Sequence, residues 1–281
     1  MRDYRYRLVN VFAEAALEGN PLCVFEDARG IDDATMQALA LQFNLSETTF
    51  VLPSVNATAR VRIFTPTFEM PFAGHPTLGT SHIVRETRNA GDAITLEMNA
   101  GVIPVRAQGD RWTLSANAPK TRDAGVNREA LARFLRLRDS DIGAQPLWVD
   151  TGSEQLIVPL ASVDAVRRAD PDASTMAEWP RNNFGRTMFH LWSHVDPTNI
   201  EARFFFTKHT SILEDPGTGS ACANLGGWMI ATRQSLPVNV DVRQGAAVGR
   251  PCRLGLAVDA SGAISVSGRV IELGAGFVRL P

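Results

Sequence analysis

Two stretches of this chain join a small, turn-forming start to a long run without charge, and such a run has to be enclosed by protein. The later one reads Glu214-Asp215-Pro216-Gly217-Thr218-Gly219-Ser220-Ala221-Cys222-Ala223-Asn224-Leu225-Gly226-Gly227-Trp228-Met229-Ile230. Asp215 suits a helix N-cap and Pro216 the first helical position, and the small residues after them let a ligand approach free backbone N–H groups. No polar stripe follows, so the helix is expected inside the protein rather than on its surface. The earlier stretch, Pro71-Phe72-Ala73-Gly74-His75-Pro76-Thr77-Leu78-Gly79-Thr80-Ser81-His82-Ile83-Val84, repeats the design, again with Pro at the expected first helical position. Two copies of one device, about half a chain apart, predict two similar halves.

Around these helices the pattern is mostly strand. Leu8–Ala13 and Leu22–Phe25 predict a hairpin with a long tip through Gly19-Asn20-Pro21. Asp32-Asp33-Ala34-Thr35 opens an amphipathic helix that ends near Asn44, and a strand of β-branched residues begins at Glu47. Periodicity stops in Asn117–Asp123, which predicts a boundary. The expected organisation is residues 1–118 and 119–281, with the last strand free to return to the N-terminal half. The expected fold is α+β: two pseudo-symmetric halves, each a curved, mostly antiparallel or mixed sheet wrapped around a central buried helix.

Composition removes several classes of function. A formal charge of −2 with scattered Lys and Arg gives no surface for a phosphate backbone, so no nucleic-acid partner is expected. No apolar run nears the roughly 20 residues that span a bilayer, and Met1–Arg7 is strand-like with no signal-peptide core behind it, so no membrane partner is expected either. Three separated cysteines, Cys23, Cys222 and Cys252, fit a reducing cytoplasm and argue against disulfides or zinc, and none of the five histidines sits at metal-ligand spacing with a carboxylate.

If both helix starts face one cleft, N–H groups near Gly74-His75 and Gly219-Ser220 would hold an anionic small molecule. Three side chains near those turns can hold or move protons: Glu47, His75 and Asp215. Each also has a structural reading, as a solvated strand end, a local turn residue and an N-cap respectively. A protein that binds an anionic metabolite without turning it over is the alternative to an enzyme. A dinucleotide site at Gly217-Thr218-Gly219 lacks the βαβ unit and ribose-binding acid it would need.

Five blocks resemble the signatures of the PhzF-like phenazine-biosynthesis family, in the family's order and over nearly the whole chain. They are Glu18-Gly19-Asn20-Pro21, Asn44-Leu45-Ser46-Glu47-Thr48, Pro71 to Gly79, Glu214 to Ala221, and Gln244-Gly245 with Gly249-Arg250-Pro251. The resemblance implies a fold like that of diaminopimelate epimerase and a cofactor-free isomerase or epimerase acting on a small carboxylic acid, dihydro-hydroxyanthranilate-like or amino-acid-like. It implies that Glu47 is the general acid/base, that His75 and Asp215 hold and polarise the substrate, and that Asn20, Gly74, Gly219 and Ser220 bind it. It also implies a homodimer. The epimerase's two catalytic thiols are replaced here by Ala73 and Pro216, which leaves Cys222 as packing inside the helix. The segment Phe205–Leu213 departs from the family's pattern, so Lys208 and His209 either line the cleft or sit on the surface.

Overall fold

The structure, a computed structural model, describes residues 1–208 and 211–281; His209 lies outside the described residues, and Lys208 is exposed. The chain forms two compact units, Met1–Ser115 with Ser267–Pro281, and Ala116–Val266.

The first unit runs β1 (Arg2–Val11), β2 (Asn20–Phe25), α1 (Asp33–Phe43), β3 (Thr48–Leu52), β4 (Ala59–Phe64), β5 (Glu69–Met70), α2 (Gly74–Thr87), β6 (Ala93–Met98), β7 (Gly101–Gln108) and β8 (Arg111–Ser115). Its sheet is mixed. β1 and β2 form the expected antiparallel hairpin, β2 and β3 pair in parallel, β3 and β4 antiparallel, β4 and β6 in parallel, and β6, β7 and β8 form a meander. Asp32 caps α1 by accepting from the Thr35 N–H, and Asn44 ends it in the left-handed conformation, as those residue types favour.

The second unit runs β9 (Lys120–Asp123), α3 (Arg128–Phe134), β10 (Leu147–Asp150), β11 (Glu154–Pro159), α4 (Val163–Arg168), β12 (Met188–Asp196), β13 (Asn199–Lys208), β14 (Ser211–Asp215), α5 (Gly219–Ala231), β15 (Val238–Gln244), β16 (Cys252–Val258) and β17 (Ile264–Leu280). β11 pairs in parallel with β12, and β13 with β15, while β9–β10–β11, β12–β13–β14 and β15–β16 are antiparallel. The long β17 begins in this unit and ends in the first, where it pairs antiparallel with β1 from Val270 to Leu280. The stretch expected to be a boundary contains β9, whose four residues are all exposed, and that is why it shows no periodicity.

Each unit encloses one apolar helix. α2 packs on β1, β2, β3, β6 and β8, and α5 on β9, β10, β11 and β16. Glycine permits the close approach in both. A Cβ on Gly79 would stand 2.7 Å from Leu22 Cδ2, and one on Gly227 would stand 2.7 Å from Val149 Cγ1. The Gly-Gly pair in the middle of α5 thus serves strand packing. Beyond the cores, no helix among the described residues is long and apolar enough to cross a membrane.

Candidate active site

The helix starts differ from the expected ones by a few residues. α2 is capped by Ala73, without a side-chain bond, and begins at Gly74, so Pro76 is its third residue rather than its first. Pro76 is tolerated there because the first four N–H groups of a helix have no intrahelical acceptor. In the second unit Thr218 is the cap and Gly219 the first helical residue, which corrects the assignment of Asp215 as N-cap and of Pro216 as opening the helix. Asp215 instead ends β14, so its side chain is released from the capping role that competed with a chemical one.

In the first unit the structure brings Glu47 and His75 together. Glu47 stands immediately before β3, half-buried, and His75 is the second residue of α2. Glu47 Oε2 lies 3.5 Å from His75 Nε2. Burial pushes the His75 pKa down to about 3, only partly offset by a hydrogen bond to the Pro21 backbone. Among the described residues Nε2 has no hydrogen-bond partner, so it is Nδ1–H that donates to the Pro21 carbonyl, and the imidazole is locked in one tautomer. The Nε2 lone pair then faces a carboxyl oxygen, and two acceptors face each other unless one proton lies between them. The contact therefore sets a carboxyl oxygen beside a nitrogen able to accept a proton.

Asn20, fully buried at the start of β2, precedes the proline whose carbonyl holds His75, and the Ser46 hydroxyl approaches its Oδ1 at 3.5 Å. Thr49 on β3 and Thr80 on α2 join through their hydroxyls at 2.8 Å, tying the strand that carries Glu47 to the helix that carries His75.

In the second unit Asp215, Thr218, Gly219 and Ser220 are all half-buried. The neighbouring Glu214 is committed to structure: Arg203 Nε and Nη2 donate to its two oxygens at 3.0 and 2.7 Å. Asp215 is braced differently. The Thr218 hydroxyl donates to its Oδ2, while Gln244 Nε2 donates to the Asp215 carbonyl at 2.8 Å and to Thr218 Oγ1 at 3.0 Å. Gly245 lets the Gln244 turn sit on this loop, since with φ of 84° a Cβ there would lie 2.4 Å from the Pro216 carbonyl oxygen. The Gln244-Gly245 block, given no role from sequence, is therefore the support of the Asp215 turn.

A second polar group went unnoticed in the sequence. Gln155 on β11, 1% exposed, donates from Nε2 to Ser220 Oγ at 2.8 Å. It stands directly before the apolar run Leu156–Leu160, and a polar residue at the edge of a fully buried strand was the available signal. Cys222, inside α5, has its thiol pushed up by burial and is no nucleophile.

The first unit thus gathers Glu47, His75 and Asn20, and the second gathers Asp215, Gly219 and Ser220. Residues 9–275 match the family model PhzC-PhzF, described as phenazine biosynthesis-like protein. An uncharacterized isomerase of Pasteurella multocida is 38% identical, over 100% of this chain and 96% of its own length. The trans-2,3-dihydro-3-hydroxyanthranilate isomerase of Pseudomonas aeruginosa is 33% identical over 98% of each chain. Among solved structures, a phenazine biosynthesis protein of the PhzF family from Bacillus anthracis superposes with a TM-score of 0.87 over 100% of both chains at 24% identity, a likeness of fold.

Proposed function

Because this chain belongs to the PhzC-PhzF family of phenazine biosynthesis-like proteins, and is by that membership an isomerase, we propose that it moves a proton between two carbons of a small carboxylic acid, without a cofactor, through Glu47. The observation that carries the reading is the 3.5 Å contact between Glu47 and a neutral, tautomer-locked His75. In the carboxylate form, Glu47 beside an imidazole nitrogen in a dry setting takes a proton from carbon with little solvent to reorganise, becomes the carboxylic acid, and returns that proton at the second carbon while the ring holds it in position. In this reading Asn20 and the N–H groups at Gly74 contact the substrate from the first unit. Asp215 polarises it, and the N–H groups of Gly219 and Ser220 take its carboxylate at the positive end of α5. The substrate class follows the relatives: a dihydro-hydroxyanthranilate-like acid is the first candidate, and an amino-acid-like acid the second.

The test uses trans-2,3-dihydro-3-hydroxyanthranilate in D₂O, with deuterium incorporation followed by NMR. The native protein is expected to incorporate solvent deuterium into product, and Glu47→Gln to slow incorporation by about 10²–10⁴-fold while keeping the native fold. Incorporation at the native rate in Glu47→Gln would remove Glu47 from the mechanism. No turnover by the native protein would overturn this substrate, and the same readout on amino acids then tests the second class.

A further inference from the structure

The hydrogen bonds around the start of α5 have a direction, and it can be read from a single backbone group. The Thr151 N–H donates at 2.9 Å to the side-chain oxygen of Asn224, and the Thr151 hydroxyl donates to the same atom at 2.7 Å. A backbone N–H only donates, so the Asn224 amide cannot be flipped. Its Nδ2 must then be the donor to the Ser153 carbonyl and to Gln155 Oε1, both at 2.8 Å. With Oε1 accepting, the Gln155 Nε2 is the atom that faces Ser220, and it donates to Oγ at 2.8 Å. Asn224 is fully buried, Gln155 is 1% exposed and Thr151 is 7% exposed, so no part of the chain is free to reverse. Ser220 differs in being half-buried, at the second position of α5.

We propose that Gln155 is a positioning residue that fixes the Ser220 hydroxyl as a hydrogen-bond donor, so that this end of the site selects a carboxylate over its uncharged amide. One lone pair of Oγ accepts from Gln155, which turns the hydroxyl hydrogen away from Gln155 and toward the ligand side. Next to it stand the Gly219 and Ser220 N–H groups, which have no intrahelical acceptor, so the start of α5 supplies three donors for a carboxylate. A carboxylate matches three donors, whereas a carboxamide has to turn one N–H toward them. The inference rests on the reading of Ser220 as part of the carboxylate site. It adds the residue that sets its polarity and the selectivity that follows. The preceding residue on β11, Glu154, points away and is held by Arg122 and Asn183, so the strand separates a structural acid from a site amide on its two faces.

The test compares anthranilate with anthranilamide, by calorimetric titration of the full chain. The native protein is expected to bind anthranilate about tenfold or more tightly than the amide, and Ser220→Ala to reduce that ratio to near one. Gln155→Glu keeps the acceptor for Asn224 but turns the second atom into an acceptor, so Ser220 must donate inward and present its lone pair to the ligand. The expected result is an inverted ratio, with anthranilamide bound more tightly. Should that variant fail to fold, Gln155→Leu serves, with a ratio falling severalfold in the native background and unchanged when added to Ser220→Ala. A general structural role would lower the melting temperature without moving the ratio, and would add to Ser220→Ala. If Ser220→Ala lowers the ratio while both Gln155 variants keep the native value, the role of Gln155 is overturned and the carboxylate site stands. If Ser220→Ala itself leaves the ratio unchanged, or anthranilate does not bind, the carboxylate reading fails and the inference with it.

Discussion

The two helix-opening turns place different chemistry on the same backbone device. At the start of α2 the cap is Ala73, with no side-chain bond, and the polar group of interest, His75, lies within the helix and faces Glu47. At the start of α5 the loop is held by two amides, Gln244 on Asp215 and Thr218, and Gln155 on Ser220. In the proposed mechanism the first turn handles a proton whose position can change, since an imidazole nitrogen and a carboxylate oxygen can both accept one. The second holds donors steadied by two side-chain amides, which do not titrate, with the Thr218 hydroxyl turned onto the Asp215 carboxylate. A proton-transfer enzyme needs one group that moves and one frame that does not. The difference implies that damage to the first turn falls on kcat and damage to the second on KM.

The largest effect expected is that of Glu47→Gln, which removes the movable proton and keeps the shape. Isotope incorporation is expected to fall by about 10²–10⁴-fold, equivalent to roughly 3–5 kcal/mol of barrier, with substrate KM within a few-fold of native. A large rise in KM with intact kcat would break the division of labour between the turns. Next comes Gly245→Ala. Its φ of 84° and the 2.3 Å separation of a new Cβ from the Arg250 carbonyl oxygen leave no room for a methyl group, and both neighbours are backbone. A stability loss of about 2–4 kcal/mol by urea unfolding is expected. Gly79→Ala, whose Cβ would meet the side-chain ends of Leu22, Val11 and Val9 rather than backbone, is expected to cost about 1–3 kcal/mol. Equal losses would show that the frame at α5 is no stiffer than the packing at α2.

Much of this comparison was legible in the amino-acid sequence because it is written in local chemistry. The helices α2, as far as Val84, and α5 announce their burial by lacking charge, and Asp32 and Asn44 bracket α1 with ordinary cap preferences. Glu47 at the mouth of β3 could be located by its strand and, with His75 and Asp215, named through the family blocks. What could not be read were contacts between distant segments. Nothing around Gln155 shows that Ser220 lies against it, because that depends on how β11 packs on α5. The Asp215 cap was misjudged for a related reason: an Asp-Pro pair is a good local start for a helix, but pairing of Phe204 with Asp215 extends β14 to that residue and delays the helix to Gly219. Tertiary pairing overrode local preference there.

Acid sharpens the comparison by testing how dry each unit keeps its imidazole. His75 in the first unit and His190 on β12 in the second are both pushed by burial from an ordinary 6.5 to about 3. Between those values the unfolded chain binds more protons than the folded one, so stability rises with pH across the window and is lost as acid is added. Each histidine contributes about 1.4 kcal/mol per pH unit there. His190 has no hydrogen-bond partner on either ring nitrogen among the described residues. His190→Phe is therefore expected to reduce the slope of stability against pH by about 1.4 kcal/mol per pH unit within that window, and to leave isotope incorporation near native. An unchanged slope would mean that His190 is protonated in the folded protein.

The smallest effect expected is that of Gln244→Met, and it bears most directly on whether the second turn acts as a frame. Gln244 donates to the backbone carbonyl of Asp215, and reaches its carboxylate through the Thr218 hydroxyl. Methionine fills nearly the same volume and can neither donate to that carbonyl nor orient the hydroxyl. The lost hydrogen bonds amount to about 1–2 kcal/mol. If the turn only holds substrate, the loss appears as a KM rise of roughly five- to thirtyfold at steady kcat. If Asp215 also takes part in moving the proton, kcat falls as well, because the hydroxyl that supports its Oδ2 is no longer aimed. Steady-state kinetics on the one variant thus decides whether the carboxylate of the second turn belongs with the fixed frame or with the mobile proton of the first.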